Sequence, residues 1–287
     1  MKRTTRTIAL TGLAMVAFAA NSVLCRVALS QAAIDPATFT VVRLASGTCV
    51  MCLILSLCRK PKQSSGSWPA SVALFAYAAA FSFAYISLSA GTGALLLFGA
   101  VQATMVSYGL VRGERLPALQ WLGLTIAIAG LAALVSPGES APSVTGACLM
   151  LVAGIAWGAY SLLGRGIADP LSVTAGNFLR SLAIAICLYL SVVVFGTNLT
   201  AIGLACAILS GAVASGLGYT IWYAALPWLT PAQGASVQLS VPVITTLGGA
   251  FVLGEAVTLR LFVSSVAILG GISLVIGSRE RALSHTS

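Results

Sequence analysis

Long stretches of this chain carry no charge, and the charges that do occur come at breaks. Pro231 to Gly277 reads PAQGASVQLSVPVITTLGGAFVLGEAVTLRLFVSSVAILGGISLVIG: it is uncharged to Gly254, has a short polar break from Glu255 to Arg260, and then runs apolar to Gly277. Each apolar run is about 20 residues, the length a helix needs to cross a bilayer at about 1.5 Å per residue. The stretch therefore reads as a membrane hairpin broken at a Gly-Glu. Gly93 to Leu134 repeats the design, with Gly113-Glu114 in its break. Gly93-Ala94, Gly113-Glu114 and Gly130 each precede Gly234-Ala235, Gly254-Glu255 and Gly271 by 141 residues. A self-match at one fixed long offset marks an internal repeat.

Extended along the chain, the same pattern predicts an all-α polytopic membrane protein of ten spans: 8–29, 36–57, 68–88, 91–111, 118–136, 144–164, 171–195, 200–225, 231–253 and 258–277. Breakers such as Asp35-Pro36, Pro69, Pro117, Pro137-Gly138, Asp169-Pro170 and Pro227 punctuate the gaps. The N-terminus has the basic, apolar, small-residue order of a signal peptide. It is read instead as an uncleaved first helix, because Ala17–Arg26 (AFAANSVLCR) matches Ala156–Arg165 (AWGAYSLLGR) at an offset of 139, with five identities in ten. Spans two and seven also echo each other, opening on Asp35-Pro36 and Asp169-Pro170 and carrying Arg43 and Arg180. The expected organisation is thus two five-span units, 8–136 and 144–277, with cytoplasmic tails at 1–7 and 278–287. An odd number of spans makes consecutive copies enter the membrane from opposite sides, which is the inverted-repeat architecture of transporters.

Composition closes off the soluble alternatives. Hydrophobic residues make up 59% of the chain and charged residues 7%, with a mean hydropathy of +1.01. Soluble domains carry about 25% charged residues. The net charge of +9 would suggest a nucleic-acid partner in a soluble protein. Here the basic residues fall in short loops and set orientation against the bilayer. With the N-terminus inside, the inner segments hold eleven basic residues (Lys2, Arg3, Arg6, Arg59, Lys60, Lys62, Arg112, Arg115, Arg165, Arg279 and Arg281) and the outer ones hold Arg26 and Arg260. Both termini are expected in the cytoplasm. With loops this short, function must sit among the helices.

Ten spans in two inverted halves, an A-[FW]-x-x-[NY]-S opening at Ala17 and Ala156, and a Gly-Glu closing spans four and nine resemble the drug/metabolite transporter superfamily, specifically its EamA group. The resemblance runs from about residue 8 to 277. It implies a central cavity lined by spans one to four and six to nine, with spans five and ten peripheral. It also implies a small-metabolite exporter, often of amino acids, in the bacterial inner membrane. Members often carry Pro midway along spans four and nine; Pro242 keeps it in span nine, while span four has Val101-Gln102. Span one has Phe18 where a Trp is usual, and span six keeps Trp157.

The chemistry on offer is that of binding rather than catalysis. Every acidic residue (Asp35, Glu114, Glu139, Asp169, Glu255 and Glu280) lies at a span end, in a loop or in the tail, and the single histidine is His285. No acid–base, nucleophilic or metal-ligand set is formed, so neither an enzyme nor a cofactor is expected. The cysteines, including the Cys49-x-x-Cys52 pair, read as small apolar residues. Arg43 and Arg180 are the charges deep in spans, fit either for a structural role or for binding an anion. Helical stripes of aromatics, Tyr77, Phe81 and Tyr85 on span three among them, mark candidate cavity faces. The candidate substrate-binding residues are Phe18, Asn21, Tyr85, Phe98, Gln102, Trp157, Tyr160, Tyr219, Trp222, Tyr223 and Gln238. The carboxamides belong here because an amide facing lipid is costly. Pro242 is the candidate gating hinge. The partners expected are a small molecule, neutral or zwitterionic, and the lipid bilayer, with no nucleic acid; a homodimer stays open. A multidrug exporter for lipophilic compounds and a non-transporting scaffold are the rival readings, and a missing membrane carboxylate counts against cationic drugs.

Overall fold

The computed structural model describes residues 2–58, 66–113, 116–138, 141–229 and 231–284. Arg59, Lys60, Lys62, Glu114, Arg115, Glu139 and His285, several of which carry the orientation reading, lie outside the described residues. The described residues form ten helical rods: α1 Lys2–Ser30, α2 Pro36–Leu57, α3 Trp68–Ala84, α4 Ala90–Val111, α5 Ala118–Val135, α6 Val144–Leu163, α7 Pro170–Val192, α8 Ala201–Trp228, α9 Gln233–Leu253 and α10 Leu259–Ser284. Nine of them are long and apolar enough to cross a membrane, and α3 is an apolar helix of 17 residues. No strand forms among the described residues beyond one bridged pair, Ile34 with Leu199. Helix α1 begins within the expected tail, and α10 continues past Gly277 to Ser284.

The breakers act as helix ends. Asp35 caps α2 by accepting from Thr38 N at 2.9 Å, with Pro36 as its first residue. Asp169 and Pro170 stand at the same places before α7, where Asp169 accepts from Ser172 Oγ. Pro fits the first helical position because its N–H would be unpaired there anyway. The two Gly-Glu breaks share one backbone device. Gly113 follows α4 at φ +85° and Gly254 follows α9 at φ +67°. This left-handed conformation ends helices and is strained for any residue with a Cβ.

Three departures from regular helix matter. First, α3 stops at Ala84, so Tyr85 is its C-terminal cap rather than the next face of a span reaching residue 88. Second, α9 breaks at Leu239, between Gln238 and Ser240. Pro242 has no N–H for the Gln238 carbonyl and its ring crowds that carbonyl, so the ladder fails one turn earlier. Third, the middle of α8, Ser210–Leu217, is wound in wider π-type turns that no periodicity signalled. Such turns concentrate at functional sites.

Small residues set the packing. Cβ atoms added at Gly154 and Gly158 of α6 would fall 2.5 Å from Ala100 Cβ and 2.9 Å from Thr104 Cβ on α4. That small-xxx-small pair is a genuine contact face. Gly109 and Gly113 have the same spacing but form no such face, because a Cβ added at Gly113 meets open space and that glycine serves as a helix stop. Helices α5 and α10 lie against each other, α2 packs on α7, α6 packs on α3 and α4, and α1 packs on α8 and α9. Exchanging the first five helices with the last five in order returns these same principal pairings. Large apolar side chains such as Leu57, Val111, Trp121, Phe251 and Phe262 are exposed on the outside, the surface a bilayer would cover.

Candidate functional site

A cavity of about 880 Å³ opens between the two halves. Its wall comes from α1, α3, α4, α6, α7, α8 and α9, together with the segments before α3 and after α6. Helices α5 and α10 contribute nothing, as expected of peripheral spans. Helix α2 contributes nothing either, which corrects the expectation that it lines the cavity. It lies behind α3, held by α7 and by the wide turns of α8.

The wall is aromatic and is organised by Trp157. Its ring lies 4.8 Å from Tyr77, 5.3 Å from Tyr160 and 5.6 Å from Tyr219, centroid to centroid. Phe18 reaches Tyr219 at 5.5 Å and Trp222 at 6.2 Å, and Tyr219 stacks on Tyr223 at 6.3 Å. Rings within 7 Å at tilted or offset angles stabilise one another beyond simple burial. The polar groups are few and placed. Thr174 links the hydroxyls of Tyr160, at 3.3 Å, and Tyr223, at 2.8 Å. Asn21 Nδ2 donates to Tyr77 Oη at 3.4 Å, and Asn21 Oδ1 accepts from Ser210 Oγ at 2.6 Å. Gln102 and Gln238 also face the cavity, Gln238 at the break in α9. An apolar and aromatic lining with a few convergent polar groups is the usual make-up of a small-molecule site.

Ten of the eleven expected binding residues thus line the cavity: Phe18, Asn21, Phe98, Gln102, Trp157, Tyr160, Tyr219, Trp222, Tyr223 and Gln238. Tyr85 does not. Where α3 ends, its ring turns edge-on to Phe81 at 4.8 Å, and its hydroxyl donates to the Ala90 carbonyl at 3.3 Å. Tyr77 and Phe81, earlier on the same stripe, are the wall residues that α3 supplies. Asn177 and Arg165 also face the cavity and were not expected. A signal for Asn177 was available: it stands eight residues after Asp169, as Arg43 stands eight after Asp35.

The two arginines are therefore not counterparts. Arg180 comes eleven residues after Asp169. It is half-buried, beside Gly66, and donates to the Gly176 carbonyl of its own helix at 3.3 Å. Arg43 is 2% exposed. Its guanidinium carbon lies 5.2 Å from the Tyr77 ring centre and 5.0 Å from that of Phe81, and Nη2 donates to Tyr77 Oη at 3.1 Å. It sits immediately behind the wall.

The two ends of the cavity differ. At one end the wall runs out to the exposed residues Leu163–Arg165 and Gly166, so the cavity reaches the surface there. At the other end no wall residue comes from the turn after α3 or the turn after α9. There Glu255 accepts from Arg26 Nε at 2.9 Å and from Ala90 N at 2.8 Å. Arg26 Nη1 donates in turn to the carbonyls of Tyr85 and Ile86, both at 3.0 Å. One clasp thereby ties α1, the α3–α4 turn and the α9–α10 turn. It satisfies the orphan amide of a helix start and the orphan carbonyls of a helix end. Arg260 performs the second task at α5, donating to the carbonyls of Ser136 and Pro137.

Among the described residues no group of His, Cys, Asp or Glu could hold a metal ion, and no Asp or Glu lines the cavity. The model of the EamA-like transporter family matches residues 5–136 and 144–277. An uncharacterised Pseudomonas aeruginosa protein is 56% identical, over 96% of both chains. An uncharacterised transporter of Archaeoglobus fulgidus is 25% identical over 68% of this chain and 70% of its own. The Escherichia coli inner membrane transporter YedA is 31% identical over 49% of this chain and 47% of its own. A solved crystal structure superposes with a TM-score of 0.63 at 20% identity, covering 92% of this chain and 98% of that one, a likeness of fold.

Proposed function

This chain belongs to the EamA-like transporter family and is a multi-pass membrane transporter, and from that premise we propose that it exports a small neutral or zwitterionic metabolite, such as an amino acid, across the bacterial inner membrane by alternating access. The single observation that carries this reading is the aromatic cavity of about 880 Å³ between the halves, open at one end and clasped at the other. A transporter that exposes its site to one side at a time needs a mid-membrane site with one closed end. Two separate family matches and a helix packing that survives exchange of the halves support ten crossings in two inverted five-helix repeats. The loop charges support a cytoplasmic side for both termini and for the open end near Arg165. That YedA is named an inner membrane transporter supports the location.

In this scheme the aromatic wall and the carboxamides of Asn21, Gln102 and Gln238 hold the substrate, and the Pro242 break is the hinge about which the upper part of α9 moves. A wall without a carboxylate disfavours lipophilic cations, which would need a counter-charge. The test is a challenge of cells overproducing the protein with toxic amino-acid analogues and, separately, with toxic lipophilic cations. The expected result is resistance to one or more analogues and none to the cations. Resistance to cations alone would transfer the protein to the multidrug class, and resistance to neither, with no flux in liposomes, would make it a scaffold.

A further inference from the structure

We propose that Tyr77 anchors a carboxylate of the transported molecule, with Arg43 behind the wall supplying the charge that favours it. The proposal rests on the reading of the cavity as the transport site. A phenol oxygen has two lone pairs to accept with and one proton to give. Here Arg43 Nη2, at 3.1 Å, and Asn21 Nδ2, at 3.4 Å, both donate to Tyr77 Oη. The Asn21 amide is oriented by its other end, since Oδ1 accepts from Ser210 Oγ at 2.6 Å. The lone pairs are thus used within the protein, and the O–H is left for whatever occupies the cavity that Tyr77 lines. A carboxylate, which only accepts, fits that donor; the N–H face of a primary amide or an ammonium does not.

Charge points the same way. Arg43 is buried to 2% exposure, and its Nε and Nη1 atoms have no hydrogen-bond partner. The rings of Tyr77 and Phe81 stabilise the guanidinium through their faces. They do not neutralise it, and no acidic side chain among the described residues lies on the cavity wall. Glu255 is engaged at the clasp, Asp35 caps α2, and Asp169 accepts from Ser172 at the start of α7. A buried charge without a partner is costly to keep in the membrane. A substrate carboxylate against Tyr77 would bring the missing negative charge through a single intervening hydroxyl. From sequence Arg43 fits either a structural or an anion-binding role; this arrangement makes it a positioning residue that acts through Tyr77.

The experiment uses full-length protein in detergent, with quenching of tryptophan fluorescence as the binding signal, since Trp157 and Trp222 stand in the wall. The probes are matched pairs: the standard L-amino acids with their primary amides, and benzoate with benzamide. The expected result is that at least one acid binds about tenfold or more tightly than its own amide, a difference of about 1.4 kcal/mol. Tyr77→Phe keeps the ring and should bring that ratio to about one, because an amide carbonyl also accepts from the hydroxyl but only a carboxylate makes there the charge-assisted bond backed by Arg43. Asn21→Asp supplies Arg43 with a counter-charge from the protein and should abolish the preference as well, which decides the matter if Tyr77→Phe does not fold. Amides binding as well as acids, or a preference that survives in Tyr77→Phe, would overturn the anchor while leaving the cavity as a binding site. Absence of binding by every acid and every amide would overturn the cavity reading and the anchor together.

Discussion

Replacing Glu255 with Gln should loosen the closed end of the transporter. Glu255 makes two bonds in the clasp, to Arg26 Nε at 2.9 Å and to Ala90 N at 2.8 Å, and the two side chains keep only 19% and 17% of their exposure. Glutamine has one accepting oxygen and turns an N–H toward the other donor, so one bond is lost and the pairing charge with it. Hydrogen bonds to charged groups contribute about 1.5–3 kcal/mol, and allowing for the residual solvent a loss of about 2 kcal/mol follows. That shifts the balance between closed and open at this end about thirtyfold. Both bonds join helix ends on the closed side, so the effect should appear in conformation more than in folding. The assay is the rate at which a membrane-impermeant maleimide, added from the outer side, labels a cysteine placed at Ser22 on the cavity wall, in a background freed of the seven native cysteines. Labelling in Glu255→Gln and in Arg26→Gln should rise by an order of magnitude or more. An unchanged rate in both, with melting temperatures close to the parent's, would refute the clasp as the element that closes this end.

Other consequences can be tested separately. Gly113→Ala and Gly254→Ala should each cost about 1 kcal/mol or more through the backbone alone, since a Cβ added at either would meet nothing within 4 Å, and thermal melts in detergent would register it. Gly154→Val should cost about 1–3 kcal/mol by a different route, prising α6 from Ala100 and Leu97 of α4, and should lower expression as well as melting temperature. Reporter fusions after Lys62, Arg115 and Arg165 should read cytoplasm, and one at Glu139 should read periplasm; a cytoplasmic Glu139 would end the inverted-repeat reading. In liposomes an imposed pH gradient should not drive uphill uptake, because no described carboxylate lines the cavity; uphill uptake abolished in Glu114→Gln or Glu255→Gln would show that one of these residues carries protons after all.

Much of this molecule was legible in the order of its residues. Crossing a bilayer fixes the length of an apolar run, so the helices could be placed from hydropathy alone. Gly113 and Gly254 announced helix ends because few other residues tolerate their backbone angles. Asn21, Gln102 and Gln238 could be assigned to the interior because lipid cannot satisfy an amide. What the sequence left open depended on where a helix ends and what comes to lie across from it. Tyr77 and Tyr85 share a stripe only while α3 continues; its end at Ala84 sends one ring to the cavity and the other into the core. Arg43 and Arg180 looked equivalent by order but differ by one turn of register, so one is sealed behind Tyr77 and Phe81 while the other stays half-exposed. Arg26 and Glu255 meet across 229 positions of chain. Such a pairing arises from the packing of α1 against α9, since local periodicity reaches only a few turns along one helix, whereas a site inside a bundle is assembled from many helices at once.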